Sequence, residues 1–295
     1  MGASSGGFSA LRFIASALPA ELDASVLVTL HLASDFPSEL DRLLSGAGPL
    51  PAQFATDGEA LLKGRIYVAP PERHLLLCGE RLTLGAGPRE NLARPAIDPM
   101  LRSVGVCCGF RAIGVILTGA LDDGAAGLAA MKLCGGVTVV QSPEDAAYPE
   151  MPAAALERSE PDHVVALDAI PSLLATLVKT PGGKPQPASQ RLRAEVEIAR
   201  GKRANIAEMD RIGRCSPIVC PDCGGVLWET DENGGLRYRC HTGHAYTAGI
   251  LKLALDDNVR RALDVALRAL EERLALVRRL RRMAAESHHR HSVDL

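Results

Sequence analysis

Aromatic residues are scarce in this chain of 295, making up 3% of it with a single tryptophan. A core without them must be filled by Ala, Leu, Val and Ile, which a 47% hydrophobic composition allows. There is no excess of charge either. The 33 basic and 35 acidic side chains leave a formal net charge of −2, which argues against bulk electrostatic attraction to nucleic acid or to an anionic membrane. Long apolar runs are missing too: Arg111 interrupts the longest, Val104–Leu121, and a membrane span needs ~20 apolar residues. The first residues lack the basic-then-apolar order of a signal peptide, and Gly6 stands where a myristoylation motif wants Ser or Thr. These absences predict a soluble, cytoplasmic protein.

What is present is unevenly spread. Residues 1–180 carry 13 basic and 20 acidic side chains, whereas residues 181–295 carry 20 and 15. At ~150 residues per domain, the length agrees with that hint of two modules. The cysteines divide in the same way. Cys78, Cys107, Cys108 and Cys134 are scattered in apolar surroundings and expected to be buried, while Cys215, Cys220, Cys223 and Cys240 fall within 26 residues. Such usage fits a reducing compartment and a metal site, not a disulfide framework.

Residues 1–179 alternate between short β-branched runs and helical patterns. The runs are Ser25–Leu30, Arg65–Ala69, Ala112–Leu117, Val137–Val140 and His163–Ala166; the helical patterns are Ser9–Leu18, Ala96–Cys108, Gly124–Leu133, Ala153–Arg158 and Ile170–Val178. Strands buried on both faces, alternating with helices, predict a doubly wound, mostly parallel α/β sheet with its ligand site at the strands' carboxyl ends. Arg65–Leu84, with turn signals at Pro70-Pro71 and Gly79-Glu80, is expected to form a small antiparallel excursion. Residues 180–188 read as a linker, and a charged helical patch, Gln190–Arg203, follows.

Three features fall at predicted strand ends. The turn Gly2-Ala3-Ser4-Ser5-Gly6-Gly7 precedes a helix; it could bind a phosphate, present a nucleophilic hydroxyl, or be a plain structural turn. His31 ends a strand and, alone, reads best as a capping or packed histidine. Asp123, beyond Ala112–Leu117, could be no more than a helix N-cap or first-turn acid. Taken together, a Ser, a His and an Asp at the carboxyl ends of different parallel strands can meet in one crevice. His31 would then take the Ser4 proton and Asp123 would orient the imidazole. The chain order differs from that of α/β-hydrolases, and the turn is not their G-x-S-x-G elbow.

These residues carry a resemblance. Gly2–Gly7, the strand ending in His31, Tyr67–Pro70 followed by His74, Arg94–Asp98 and Val115–Leu128 occur in the order and spacing of the catalytic domain of the chemotaxis protein-glutamate methylesterase, CheB. The likeness spans roughly residues 2–178. It implies a Rossmann-like domain that needs no cofactor for catalysis. Its activity would be the hydrolysis of glutamate methyl esters on the cytoplasmic domain of chemoreceptors, with glutamine deamidation as a second activity. It further implies Ser4 as nucleophile, His31 as base and Asp123 as its partner. Ser5, Ala120 and Arg94 would supply oxyanion and substrate contacts, and Ala120 stands where many members have methionine.

Two departures qualify it. Members usually carry a hydrophobic strand directly before Gly-Ala-Ser, so a central strand is expected to be absent here, with either the true start upstream or the turn left frayed. At ~1.5–3 kcal/mol per buried apolar side chain, that loss would weigh against a net stability of ~5–15 kcal/mol. A phosphorylation-controlled receiver domain is missing as well, so control in cis is not expected.

The second half holds Cys220-Pro-Asp-Cys223-Gly-Gly and, sixteen residues on, Cys240-x₃-His244. This spacing predicts a structural zinc ribbon over residues 214–246, with Cys220, Cys223, Cys240 and His244 as ligands, against a redox dithiol or unliganded cysteines. His241 is the lesser ligand candidate and Cys215 a bystander. Trp228, Tyr238 and Tyr246 are expected to cover the metal site, and Arg237 and Arg239 to form a solvated face, so nucleic acid is disfavoured. From Thr247, a plausible N-cap, to Ala285, the residues Val259, Leu263, Ala266, Leu270, Leu274, Val277 and Leu280 form one apolar stripe on a long helix. Such a stripe would pair with a second copy or a partner helix, or else pack back on the catalytic domain. The competing class is a non-enzymatic adaptor that keeps a degraded catalytic domain for binding receptors or partners.

Overall fold

A computed structural model describes residues 1–31, 38–184, 186–232 and 235–293. The chain opens with β1 (Gly2–Ala3), α1 (Gly7–Ala17), β2 (Ser25–Leu30), α2 (Leu40–Ser45), β3 (Ala52–Phe54) and β4 (Arg65–Val68). A hairpin of β5 (His74–Cys78) and β6 (Arg81–Gly85) leads to α3 (Ile97–Cys108). The alternation then resumes with β7 (Ile113–Ile116), α4 (Ala125–Leu133), β8 (Val137–Gln141), α5 (Glu150–Ser159), β9 (His163–Val165) and α6 (Ile170–Lys179).

Seven parallel strands form the main sheet in the order β3-β4-β2-β1-β7-β8-β9. Val28, Val115 and Val139 turn to a core under α1 and α6, where Leu11, Ile14 and Ile170 are buried. Tyr67, Ile116 and Val140 turn to the opposite core with Ile97, Leu101 and Leu128. Chain order reverses about β1: β2, β4 and β3 lie on one side, β7, β8 and β9 on the other. A crevice at such a reversal, outside the carboxyl ends of β1, β2 and β7, is where doubly wound sheets bind their ligands.

The central strand is therefore short, not absent. Gly2 and Ala3 pair with Thr29 and Leu30 on one side, and Gly2 pairs with Ile116 on the other. The ladder runs past both ends, since the Thr29 amide donates to the Met1 carbonyl at 3.0 Å and the Ser4 amide to the Thr118 carbonyl at 3.0 Å. The turn after it is bonded in place, not frayed. Glycine at position 2 is forced, because a Cβ there would come within 2.2 Å of Ile97 Cγ2.

The antiparallel excursion is smaller than expected. Arg65–Val68 lies parallel between β2 and β3, and only His74–Gly85 pairs antiparallel. Cys78, expected inside, is exposed at the end of β5 beside the hairpin turn, and of the four scattered thiols only Cys134 is buried.

Beyond the linker come α7 (Gln190–Arg200) and α8 (Ile206–Ile212). Ser189 caps α7 by accepting from the Leu192 amide at 3.1 Å. The charged patch buries Leu192, Glu195, Val196 and Ile198, and its end accepts from the Ala86 and Gly87 amides just past β6. Four antiparallel strands follow, β10 (Arg214–Val219), β11 (Val226–Glu232), β12 (Gly235–Cys240) and β13 (Ala245–Thr247). Residues 1–250 form one compact unit.

Arg237 and Arg239 are not a solvated face. They are 2% and 3% exposed and join Arg102 around two buried carboxylates. Glu90 pairs with Arg102, with Arg239 at 3.0 Å and with Arg237 at 3.3 Å; Glu195 lies 3.3 Å from Arg239 and 3.4 Å from Arg102. Burial pushes the Glu90 carboxyl up, but the charges of Arg102, Arg239 and Arg237 outweigh it and hold the group well below the usual carboxylate range. Glu90→Gln leaves buried guanidiniums uncompensated and is expected to cost about 3–5 kcal/mol in urea unfolding at pH 7. A depressed folded pKa contributes stability above the unfolded value of ~4.3 and loses it on acidification. The gap between the two proteins should therefore close as pH falls below about 4.

The last helix, α9 (Ala248–Val293), starts where Thr247 Oγ1 accepts from the Ile250 amide at 3.2 Å. From Leu251 it is a unit of its own. Within this unit Val259, Leu263, Leu270, Leu274, Val277 and Leu280 are each between 42% and 65% exposed. No helix among the described residues is long and apolar enough to cross a membrane.

Candidate active site

Ser4 follows β1, His31 follows β2, and Asp123 lies in the turn between β7 and α4. Ser4 Oγ is 3.0 Å from His31 Nδ1, and His31 Nε2 is 2.8 Å from Asp123 Oδ2. An ionised carboxylate only accepts, so the imidazole carries its proton on Nε2 and offers a bare Nδ1 to the serine hydroxyl. Gly6, at φ 73, turns the chain into α1 two residues after Ser4.

Asp123 is almost fully buried and is surrounded by donors. Its Oδ2 also accepts from the Ile97 amide at 2.6 Å, and its Oδ1 accepts from Asn91 Nδ2 at 2.9 Å and from the Asp98 amide at 3.3 Å. Burial pushes its pKa up; the hydrogen bond and charge of His31 and the Ile97 and Asn91 donors overcome that and leave it lowered. Asp123 is not a helix cap. The amides of Gly124 and Gly127, at the start of α4, donate instead to Asp98 Oδ1 at 3.0 and 2.6 Å. Burial and the charge of Asp123 raise the Asp98 pKa, against the opposing charge of Arg237.

Among the other expected residues, Ser5 and Ala120 are half-buried beside the nucleophile's turn and the β7 loop. Among the described residues no hydrogen bond occupies either backbone amide, whereas the neighbouring Gly119 amide is taken by the Tyr148 carbonyl at 3.0 Å. Arg94 donates to Glu72 Oε2 at 2.8 Å and to the Gly87 carbonyl at 3.1 Å. His74 is buried between the Pro88 carbonyl (2.9 Å) and the Ala96 amide (3.2 Å), tying down the loop that carries Asn91 and Arg94. Burial lowers its pKa, which suits the neutral ring that these two bonds require. Asn91 was not singled out from sequence, because a lone asparagine in a loop gives no periodic or spacing signal.

The second candidate site is in the ribbon. One donor atom each from Cys220, Cys223, Cys240 and His244 lies within 4.8 Å of every other. Cys223 Sγ is 3.7 Å from Cys240 Sγ, and Cys240 Sγ is 3.6 Å from His244 Nδ1. A tetrahedral zinc with bonds of about 2.3 Å to sulfur and 2.0 Å to nitrogen has edges of about 3.8 and 3.5 Å. Those two distances match the edges such an ion would set. His244 Nε2 faces Asp222 at 3.9 Å, and Tyr246 donates to that carboxylate at 2.8 Å while its hydroxyl touches Cys220 Sγ at 3.2 Å. Of the aromatics expected to cover the cluster, Tyr246 does so. Trp228 instead packs with Ile198, Met209 and Ile212 and donates to Asp210 at 2.8 Å.

Residues 1–174 match the family described as CheB methylesterase. A protein-glutamate methylesterase/protein-glutamine glutaminase of Anaeromyxobacter dehalogenans is 42% identical over 175 residues, 59% of this chain and 51% of that protein. A similarly named Xanthomonas oryzae protein is 37% identical over 60% of this chain and 50% of its own length. The chain therefore spans about half the length of these relatives. A Leptospira interrogans protein to which the same two activities are ascribed is 34% identical, with 92% of its length covered. The crystal structure of the Thermotoga maritima CheB methylesterase catalytic domain superposes with a TM-score of 0.57 at 30% identity, over 60% of this chain and 96% of that one. With more than half of the chain matched, and the Leptospira protein and the Thermotoga catalytic domain covered almost whole, the chain belongs to the CheB methylesterase family.

Proposed function

We propose that the α/β domain, residues 1–179, is a serine hydrolase that cleaves glutamate methyl esters on the cytoplasmic domain of methylated chemoreceptors. The observation that carries this reading is the unbroken chain Ser4 Oγ–His31 Nδ1 and His31 Nε2–Asp123 Oδ2. Ser4 attacks the ester carbonyl while His31 Nδ1 takes the hydroxyl proton. The oxyanion settles toward the Ser5 and Ala120 amides. Collapse breaks the bond to the methoxy oxygen, which leaves as methanol with the proton from His31. Water, deprotonated by the same nitrogen, then cleaves the acyl–Ser4 ester and frees the glutamate carboxylate. A side-chain amide in place of the ester would release ammonia by the same steps, which is the glutaminase activity in the relatives' names. The adaptor alternative loses its ground, since it rested on a missing strand and Gly2–Ala3 hold that position.

The test is methanol release from a methylated chemoreceptor fragment. Release above the spontaneous rate is the expected result, and its absence would overturn the reading.

The Cys220, Cys223, Cys240 and His244 set would hold a zinc ion. When bound, the ion supplies cross-linking of two turns and, with four protein ligands, no open position for chemistry. Free cysteines and a substrate on the receptor's cytoplasmic domain support a location in the reducing cytoplasm. The apolar stripe of α9 would pair with a second copy or with a partner helix. Light scattering over a range of concentrations should show self-association; a monomer throughout would remove the second copy.

A further inference from the structure

The triad's aspartate is held from behind as well as from the His31 side. Asn91 Nδ2 donates to Asp123 Oδ1 at 2.9 Å and to Asp98 Oδ2 at 3.0 Å, so one amide spans two buried carboxylates. Other bonds of Asn91 run to the ribbon. Its main-chain amide donates to the Ala245 carbonyl at 2.8 Å, and its side-chain oxygen accepts from the Thr247 amide at 3.2 Å. It holds φ 52, in the left-handed region that asparagine tolerates better than most residues. From the adjacent ribbon strand, Arg237 places its guanidinium 3.4 Å from Asp98 Oδ2.

We propose that Asn91 is a positioning residue for Asp123, and that β13 together with Arg237 holds it in place, making the C-terminal ribbon a working part of the hydrolytic centre. The inference rests on the methylesterase reading above. Orienting His31 requires Asp123 Oδ2 to stay ionised and aimed at Nε2, and Asn91 fixes the other oxygen. Without that amide, two carboxylates face each other with no shared donor and the pair takes up a proton more readily. A protonated Asp123 no longer holds the Nε2–H tautomer. The groups facing the pair are His31, His74, Asp122 and Arg237, with Glu90, Arg102, Arg239 and Glu195 behind them.

The experiment follows kcat and KM for methanol release from the methylated receptor fragment across pH 3–9, using the full chain. Glycine suits the left-handed backbone at position 91, so Asn91→Gly removes the amide without adding strain or charge. It is expected to lower kcat about 10- to 100-fold with KM changed less than about 2-fold. The acid limb of the profile should move up by about one pH unit. Arg237→Met should move the limb in the same direction by less, and keeps the test alive if the glycine variant does not fold. Arg158→Met removes another ribbon contact, its 3.0 Å bond to the Gly235 carbonyl, without touching Asn91, and should leave the limb in place. An unshifted limb in Asn91→Gly, or a limb moved as far by Arg158→Met as by Arg237→Met, overturns the proposal. Release that survives Ser4→Ala would instead overturn the methylesterase reading and the role of Asn91 with it.

Discussion

Ser4→Ala is expected to lower methanol release by about 10⁴-fold or more, and Asp123→Asn by about 10³- to 10⁴-fold, with the fold of both variants intact by circular dichroism. The serine variant has lost its nucleophile, and what remains comes from binding and oxyanion donors alone. The aspartate variant fails for a subtler reason. At the Oδ1 position a new NH₂ group would face the Asn91 and Asp98 donors; at the Oδ2 position it would face the Ile97 amide and His31. His31 changes from donor to acceptor by a tautomer shift, whereas Asn91 does so only by giving up its bonds to Asp98 and Thr247, so the NH₂ settles toward Nε2. The ring proton then moves to Nδ1, where it blocks acceptance of the Ser4 hydroxyl proton. Asp123→Asn with more than about a tenth of wild-type kcat would show that Asp123 does not set the tautomer.

Removing the proposed zinc is expected to have the largest effect on stability. Binding to a structural zinc-finger site is worth about 10–16 kcal/mol at pH 7 in free peptides. The ribbon buries few apolar side chains of its own, and Trp228 turns away to pack with α7 and α8. Chelation, or Cys223→Ser, should lower Tm by about 10 °C or more and strip hydrogen-exchange protection from β10–β13. Acid should act in the same direction, because thiolates and a neutral imidazole are the binding forms. Protein purified under reducing conditions without zinc, yet with those amides protected, would overturn the ribbon's dependence on metal.

Legibility differed between elements for physical reasons. Ser25–Leu30 is read to the residue because a strand buried on both faces is a continuous β-branched run. Gly2–Ala3 could not be read as a strand, since two small residues carry no pattern; pairing with β2 and β7 makes them one. Spacing was enough to group Cys220, Cys223, Cys240 and His244, whose local turns bring them into one cluster. It was misleading for Arg237 and Arg239. Alternation along a strand says which residues share a face, not what that face meets, and theirs meets Glu90 and Glu195.

The residue types of the site, and the strand ends that carry them, were thus determined locally, by chemistry and periodicity that any window of the chain displays. Which imidazole nitrogen faces Ser4, that Asp98 rather than Asp123 caps α4, and that a loop asparagine joins the triad to the ribbon were decided only by tertiary structure. Those features depend on contacts between residues as far apart as Asn91 and Thr247. Contacts of that length are set by how the sheet, α3 and the ribbon pack around shared buried charge, and packing of that kind leaves no mark in local pattern.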